Sequence, residues 1–252
     1  MKQTPIAPFD LPEALPFLLE GSDTGFLFFH GFTSTPQSVR EVAENVHEIS
    51  GATVYCPRLA GHGETPSALA KTGQADWVAS AEDALATLST RCAQVIVGGL
   101  SLGATLSLNL AARMPDKIQG VVSINGSTGL YRPAVVAPLY EADGPAFIDG
   151  IGSDIAEPER TEICYDRIPR DTLKERFLLT NATGALLPLI RQPIQIMQSR
   201  CDNVVDPKNA LRIATSVGSS EIRLSWLERS YHVATLDYER GEIARRIAGF
   251  LA

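Results

Sequence analysis

Long apolar runs are missing from this 252-residue sequence, and no stretch approaches the ~20 consecutive apolar residues that a membrane-spanning helix needs. The opening stretch, MKQTPIAPFDLPEALPF, is broken by prolines and acids where a signal peptide requires a continuous apolar core. Together these imply a cytoplasmic protein with no integral membrane segment. Cysteine is scarce: Cys56, Cys92, Cys164 and Cys201 stand more than thirty residues apart, with no CxxC or Cys/His spacing. No metal site is coded there, and free structural thiols in a reducing compartment fit better than disulfides. Positive charge is short too, with 22 Lys and Arg against 29 Asp and Glu and a net charge of −7. The basic residues are scattered, which excludes the clustered phosphate contacts of a nucleic-acid binder. With no Gly/Ser/Pro-rich linker, no internal repeat and no low-complexity tract, the chain reads as one domain with an insertion.

Six short β-rich runs are present: Phe26 to His30, Thr53 to Cys56, Val95 to Gly98, Val121 to Asn125, Ile194 to Gln198 and Ile222 to Leu227. Helical patterns lie between most of them. Thr35 reads as an N-cap with Pro36 in the first turn, ahead of the stripe Val39, Val42, Ala43, Val46 and Ile49. Further helices are expected over Asp76 to Leu88, Leu102 to Met114 and Ile243 to Leu251. The alternation predicts an α/β fold, a mostly parallel sheet covered by helices on both faces, with ligands beyond the carboxyl ends of its strands. Nearly seventy residues separate the strand ending at Asn125 from the one starting at Ile194. Leu173 to Leu187 can supply the crossover helix. The surplus leaves a strand's carboxyl end and therefore reads as a cap insertion at 127–169, between core segments 1–126 and 170–252.

Chemistry concentrates first at VIVGGLSLG, residues 95–103, where an apolar strand runs into Ser101 and a helix begins at once. So sharp a turn pushes the serine hydroxyl above the sheet, and the flanking glycines leave room for neighbouring backbone. A serine hydroxyl needs a base to take its proton, and the base needs a third group to hold it. On this kind of elbow the acid and histidine follow the serine in that order. His30, His47 and His62 precede Ser101, which leaves His232 in the loop after the last strand. His30 and His62 read as structural and His47 as an exposed helix residue. Two acids qualify by position, Asp202 and Asp206, after the strand ending at Gln198. Asp206 stands before Pro207 and a helical stretch and is better explained as an N-cap, so Asp202 is the preferred acid. Asp237, just before the final helix, also reads as a cap. Two backbone donors are needed for the developing oxyanion, and the amides of Leu102 and Phe32 are placed for it.

With these pieces in place the chain resembles the bacterial monoacylglycerol lipases and small thermostable carboxylesterases of the α/β-hydrolase superfamily. The resemblance runs through HGFTSTPQSVR at 30–40, PRLAGHG at 57–63, DWVAS at 76–80, GLSLG at 99–103, IGSD at 151–154, DNVVDP at 202–207 and SYHVATLDY at 230–238. It implies an α/β-hydrolase fold with a small cap. By the same resemblance the triad falls on Ser101, Asp202 and His232, and the oxyanion donors fall on Phe32 and Leu102. A cap glutamate that binds the substrate's glycerol head falls on Glu162, and Ile151 faces the acyl chain. Ala104 stands where the family usually carries a third glycine, and 127–150 matches poorly. The implied reaction is serine-dependent hydrolysis of monoacylglycerols. A general carboxylesterase, another chemistry on the same triad and a non-catalytic binding member are the alternatives. No metal or organic cofactor is required, and the expected partners are small ester substrates and, transiently, lipid surfaces.

Overall fold

Alternation within the strands decides which residues face which layer. Phe26 and Phe28 pack with Val54, Ile96, Val122 and Met197 on one face, while Leu27 and Phe29 pack with Val95, Val97 and Val121 on the other. Both faces are therefore covered, as a parallel sheet requires. The computed structural model describes residues 11–252, so the start of the proline-broken N-terminus and the first ten residues of the expected core lie outside the described residues.

Along the chain come strands β1 (Phe17–Leu19) and β2 (Ser22–Phe29), helix α1 (Gln37–Ser50), β3 (Ala52–Cys56), α2 (Pro66–Leu69) and α3 (Gln74–Ser89). Then follow β4 (Gln94–Leu100), α4 (Leu102–Arg113), β5 (Gly120–Ile124), α5 (Pro133–Val136), β6 (Phe147–Asp149), β7 (Arg167–Pro169) and α6 (Arg170–Leu186). The chain ends with β8 (Ile194–Ser199), α7 (Lys208–Ser216), β9 (Ile222–Leu227) and α8 (Arg240–Leu251). The main sheet has seven strands in the order β1-β3-β2-β4-β5-β8-β9. Only β1 runs antiparallel, paired with β3; the remaining pairs are parallel. Helices α1 and α8 pack together on the Phe26 face, and α3, α4, α6 and α7 cover the other. Phe26, Phe28 and Trp77 are fully buried, and side chains of that size contribute about 1.5–3 kcal/mol each.

The six expected strands and the expected helices all form. Two local readings change. Helix α1 starts one residue after Pro36, and the Thr35 hydroxyl is buried without a partner. Thr35 serves instead through its carbonyl, which accepts the Ser38 amide and hydroxyl at 3.1 Å each. Ile49, expected on the buried stripe, is 57% exposed because the stripe ends at Val46.

Residues 127–169 carry α5 and the antiparallel pair β6–β7. They are stitched to the loops beyond the strands of the main sheet. The Tyr165 amide donates to the Thr33 carbonyl at 3.0 Å, its hydroxyl donates to the Gly61 carbonyl at 2.8 Å, and the Ala156 amide donates to Asp237 Oδ2 at 2.8 Å. This segment therefore lies over the carboxyl ends of the parallel strands. All four cysteines are free: Cys56 and Cys92 are buried, whereas Cys201 is exposed. Among the described residues no helix is long and apolar enough to cross a membrane.

Candidate active site

Positive φ angles outside glycine occur at Thr33 (63°), Ser101 (57°) and Asn125 (48°), just beyond the adjacent strands β2, β4 and β5. Such angles are rare because Cβ crowds the backbone, and they tend to gather at functional turns. At Ser101 the turn is enforced from both sides. A Cβ on Gly99 would collide with the Gly103 backbone, and one on Gly103 with the carbonyl of Phe29. The Ser101 amide donates to the Ile124 carbonyl at 2.9 Å, tying the elbow to the neighbouring strand. Leu102 opens α4, so its amide has no partner inside the helix. Ala104 fits where a glycine was expected because Gly126 faces it; a Cβ there would stand 2.9 Å from the Ala104 methyl.

Asp202 is 4% exposed and all its bonding capacity is directed. Oδ1 accepts the amides of Val204 and Val205 at 2.9 and 2.7 Å, while Oδ2 accepts Gln198 Nε2 at 3.2 Å and His232 Nδ1 at 2.9 Å. Because a carboxylate only accepts, the His232 proton sits on Nδ1 and Nε2 is left with a lone pair. Burial works against a charged His232 ring, but the charge and hydrogen bond of Asp202 outweigh it, with Glu162 assisting and Arg176 opposing. The net effect raises its pKa above the ordinary histidine value. His232 and Ser101 line one pocket. Asp206 is occupied elsewhere: its Oδ1 accepts the Lys208 amide at 2.9 Å at the start of α7.

Polar residues whose sequence positions do not announce these roles hold this arrangement. Asn125 donates to the His232 carbonyl at 2.7 Å and accepts the Ser199 amide at 2.7 Å, so it spans the acid and base strands. Asp154 accepts the His232 amide at 2.9 Å and the Asn203 side chain at 2.8 Å. Asp237 does not cap α8. Its carboxylate accepts the amides of Tyr231, Ala156, Glu157 and Tyr238 and so ties the His232 loop to the cap, while Glu239 gathers the Glu228, Arg229 and Ser230 amides.

On the other side of the pocket the loop after β2 carries Gly31 and Phe32. The Phe32 amide makes no hydrogen bond among the described residues, and its ring packs edge-on against His62 and Trp77. His30 donates from Nδ1 to the Gly31 carbonyl at 2.9 Å and accepts the Leu59 amide at Nε2. Both nitrogens are spent on shaping the loop, and burial, helped by His62, holds its pKa down to about 3. Burial likewise holds His62 down to about 4. His47 is half-buried rather than exposed, with Nδ1 2.8 Å from the Ala52 carbonyl.

From the cap, Glu162 enters the same pocket and is 7% exposed. Its Oε1 accepts the Ser34 hydroxyl at 2.6 Å. Burial pushes its pKa up, against the opposing effects of Ser34 and the nearby His232. Ile151, 55% exposed, borders this pocket and a neighbouring cavity of about 250 Å³. No cluster of three metal-ligating side chains occurs among the described residues.

A serine on a strained strand-to-helix turn, with an acid-held histidine across the pocket, defines the α/β-hydrolase class on this sheet, and the pattern of the alpha/beta hydrolase fold matches residues 25–147. The chain is 40% identical over 243 residues to the thermostable monoacylglycerol lipase of Bacillus sp. strain H-257, covering 96% of each. It is 30% identical over 239 residues to a carboxylesterase of Bacillus subtilis strain 168, covering 94% of this chain and 95% of that one. A solved structure from work on LipS and LipT, two metagenome-derived lipolytic enzymes, superposes with a TM-score of 0.92 at 39% identity, over 96% of this chain and 98% of that one. The chain therefore belongs to the family of bacterial monoacylglycerol lipases and small carboxylesterases, and it is a carboxylic ester hydrolase.

Proposed function

We propose that the protein is a monoacylglycerol lipase working through Ser101, His232 and Asp202. His232 Nε2 takes the Ser101 proton as Oγ forms its bond to the ester carbonyl carbon. The amides of Phe32 and Leu102 hold the developing oxyanion. When the bond to the alcohol breaks, His232 returns the proton to the leaving glycerol oxygen. Water then adds to the acyl-enzyme by the same route and releases the fatty acid. Asp202 holds the ring in one tautomer throughout and favours the imidazolium that each step forms.

The observation that carries the glycerol preference is the buried carboxyl of Glu162. A carboxyl group facing the catalytic pocket, steadied by Ser34 at 2.6 Å, can exchange hydrogen bonds with the free hydroxyls of a glycerol head. A simple alcohol ester has nothing to offer it, and buried polar groups left unpaired disfavour such a ligand. Ile151, between the catalytic pocket and the neighbouring cavity, is placed to meet the first part of the acyl chain.

The test compares monolauroylglycerol with methyl laurate in wild type and Glu162→Gln. The substitution is expected to lower kcat/KM on the glycerol ester about tenfold, and to affect the methyl ester much less. An equal loss on both esters refutes the head-group role and leaves a general carboxylesterase. Fluorophosphonate labelling abolished by Ser101→Ala checks the nucleophile; labelling that persists assigns it elsewhere.

A further inference from the structure

Helix α6 buries a stripe that includes Leu173, Arg176, Phe177 and Thr180, and one member of that stripe is charged. Arg176 is 8% exposed. Its guanidinium forms no hydrogen bond and no ion pair among the described residues. Its cation lies 5.3 Å from the Phe177 ring centroid, which supplies a weak attraction but no acceptor. The nearby Tyr131 and Asp202 attract it through space, yet both Asp202 oxygens are committed to Val204, Val205, Gln198 and His232. Its guanidinium nitrogens are not sealed from solvent, so the cation opens onto the pocket, where a ligand can complete it.

Its position says which part of a ligand that is. Arg176 borders the catalytic pocket with Ser101 and His232, and it also borders the 250 Å³ cavity beside it. The rest of that cavity includes Leu130, Ile168 and Phe177, which suit an acyl chain, with Arg132 and the acids Asp149 and Asp206 also on its wall. The guanidinium therefore stands where the early carbons of the acyl group pass, on the opposite duty from Glu162, which addresses the alcohol. A planar fork of five donors at that point matches a carboxylate.

The geometry points to an acyl subsite for an anion: Arg176 selects esters whose acyl part carries a second carboxylate, the monoesters of short dicarboxylic acids. This rests on the serine ester hydrolysis proposed above and adds an anionic acyl class beside the fatty acyl group of a monoacylglycerol. The chemistry is the same hydrolysis. Ser101 bonds to the ester carbonyl as the alcohol departs with the proton carried by His232, and water then releases the dicarboxylic acid. Its second carboxylate stays paired with Arg176 and takes no part in bond breaking.

The experiment measures kcat/KM by pH-stat for monomethyl adipate and methyl hexanoate, which share chain length and leaving group. It uses wild type, Arg176→Met and Arg176→Lys. In wild type the ratio of anionic to neutral ester is expected to be at least about one, because an apolar pocket alone would reject the anion. Arg176→Met should lower that ratio about 10- to 100-fold, and Arg176→Lys should restore part of it. A wild-type ratio below one overturns the proposal without reference to any variant, as does an unchanged ratio in Arg176→Met. Failure of wild type on both esters would instead refute ester hydrolysis itself, so the two failures are distinct.

Discussion

Asp154 holds the backbone of His232: its Oδ2 accepts the His232 amide at 2.9 Å, across 78 residues of sequence. The same carboxylate takes the Asn203 amide at 3.2 Å and the Asn203 side chain at 2.8 Å, next to Asp202. One cap side chain thus sets the spacing between the candidate acid and base, and the Asp154 carbonyl adds a bond from the Val233 amide at 3.0 Å. Asp154→Ala is expected to lower kcat about 10- to 100-fold, the weight of hydrogen bonds to a charged group, with a smaller change in KM. Steady-state kinetics on a soluble ester checks it, and an unaltered kcat would show that the two loops hold their spacing without the cap.

The two acids after β8 are separable by their bonds. Asp202→Asn removes the acceptor that fixes the His232 tautomer and should reduce kcat by about 10⁴. Asp206→Asn alters the bond at the start of α7 and one wall of the neighbouring cavity, and should cost about 1 kcal/mol of stability or less, with turnover kept. Parallel kinetics and urea unfolding on the two variants decide the matter; the reverse pattern would assign the acid to Asp206.

Much of this was legible in the chain because it depends on local rules. Gly99, Ser101 and Gly103 define a turn that only one geometry accommodates, and alternating apolar residues from Phe26 to Phe29 place their strand in a two-faced sheet. The order of Ser101, Asp202 and His232 follows from where successive strands end. The rest depends on contacts between distant segments. Strands β1, β6 and β7 have three residues each, too few for a periodic signal. Asp154 and Asn125 act on backbone groups of a loop far along the chain, and no residue pattern announces that. Arg176 sits in a helix where a charge reads as solvent-facing until neighbouring helices bury it. Asp237 occupies a cap-like position before α8, but four loop amides claim its carboxylate.

Two buried histidines make stability depend on acid. His30 and His62 are held down to about 3 and about 4, against 6.5 for the free side chain. Between those values and pH 6.5 the unfolded chain binds more protons than the folded one. The contribution is therefore complete above pH 6.5 and is lost as pH falls. Each histidine should remove up to about 1.4 kcal/mol of stability per pH unit through that window. Urea midpoints at pH 7, 6 and 5 should decline accordingly, and His62→Phe should flatten the decline if the apolar ring is accommodated among Phe32 and Trp77. A midpoint independent of pH over this range would mean that neither ring is held neutral by burial.

Arg176 also bears on the pH dependence of turnover. His232 must be neutral to take the Ser101 proton, so activity falls as pH drops through its pKa. Four influences set that value: burial lowers it, Asp202 from the loop after β8 raises it, Arg176 from α6 lowers it, and Glu162 from the cap raises it. Removing the guanidinium removes a repulsion felt only by the imidazolium, so the charged ring becomes easier to form. In Arg176→Met the acid limb of kcat/KM on methyl hexanoate should therefore move to higher pH. Arg176→Lys, which retains the charge, should move it less. A limb that stays put in the methionine variant would mean that the Arg176 charge does not reach the base, and that any effect on ester selectivity arises from shape alone.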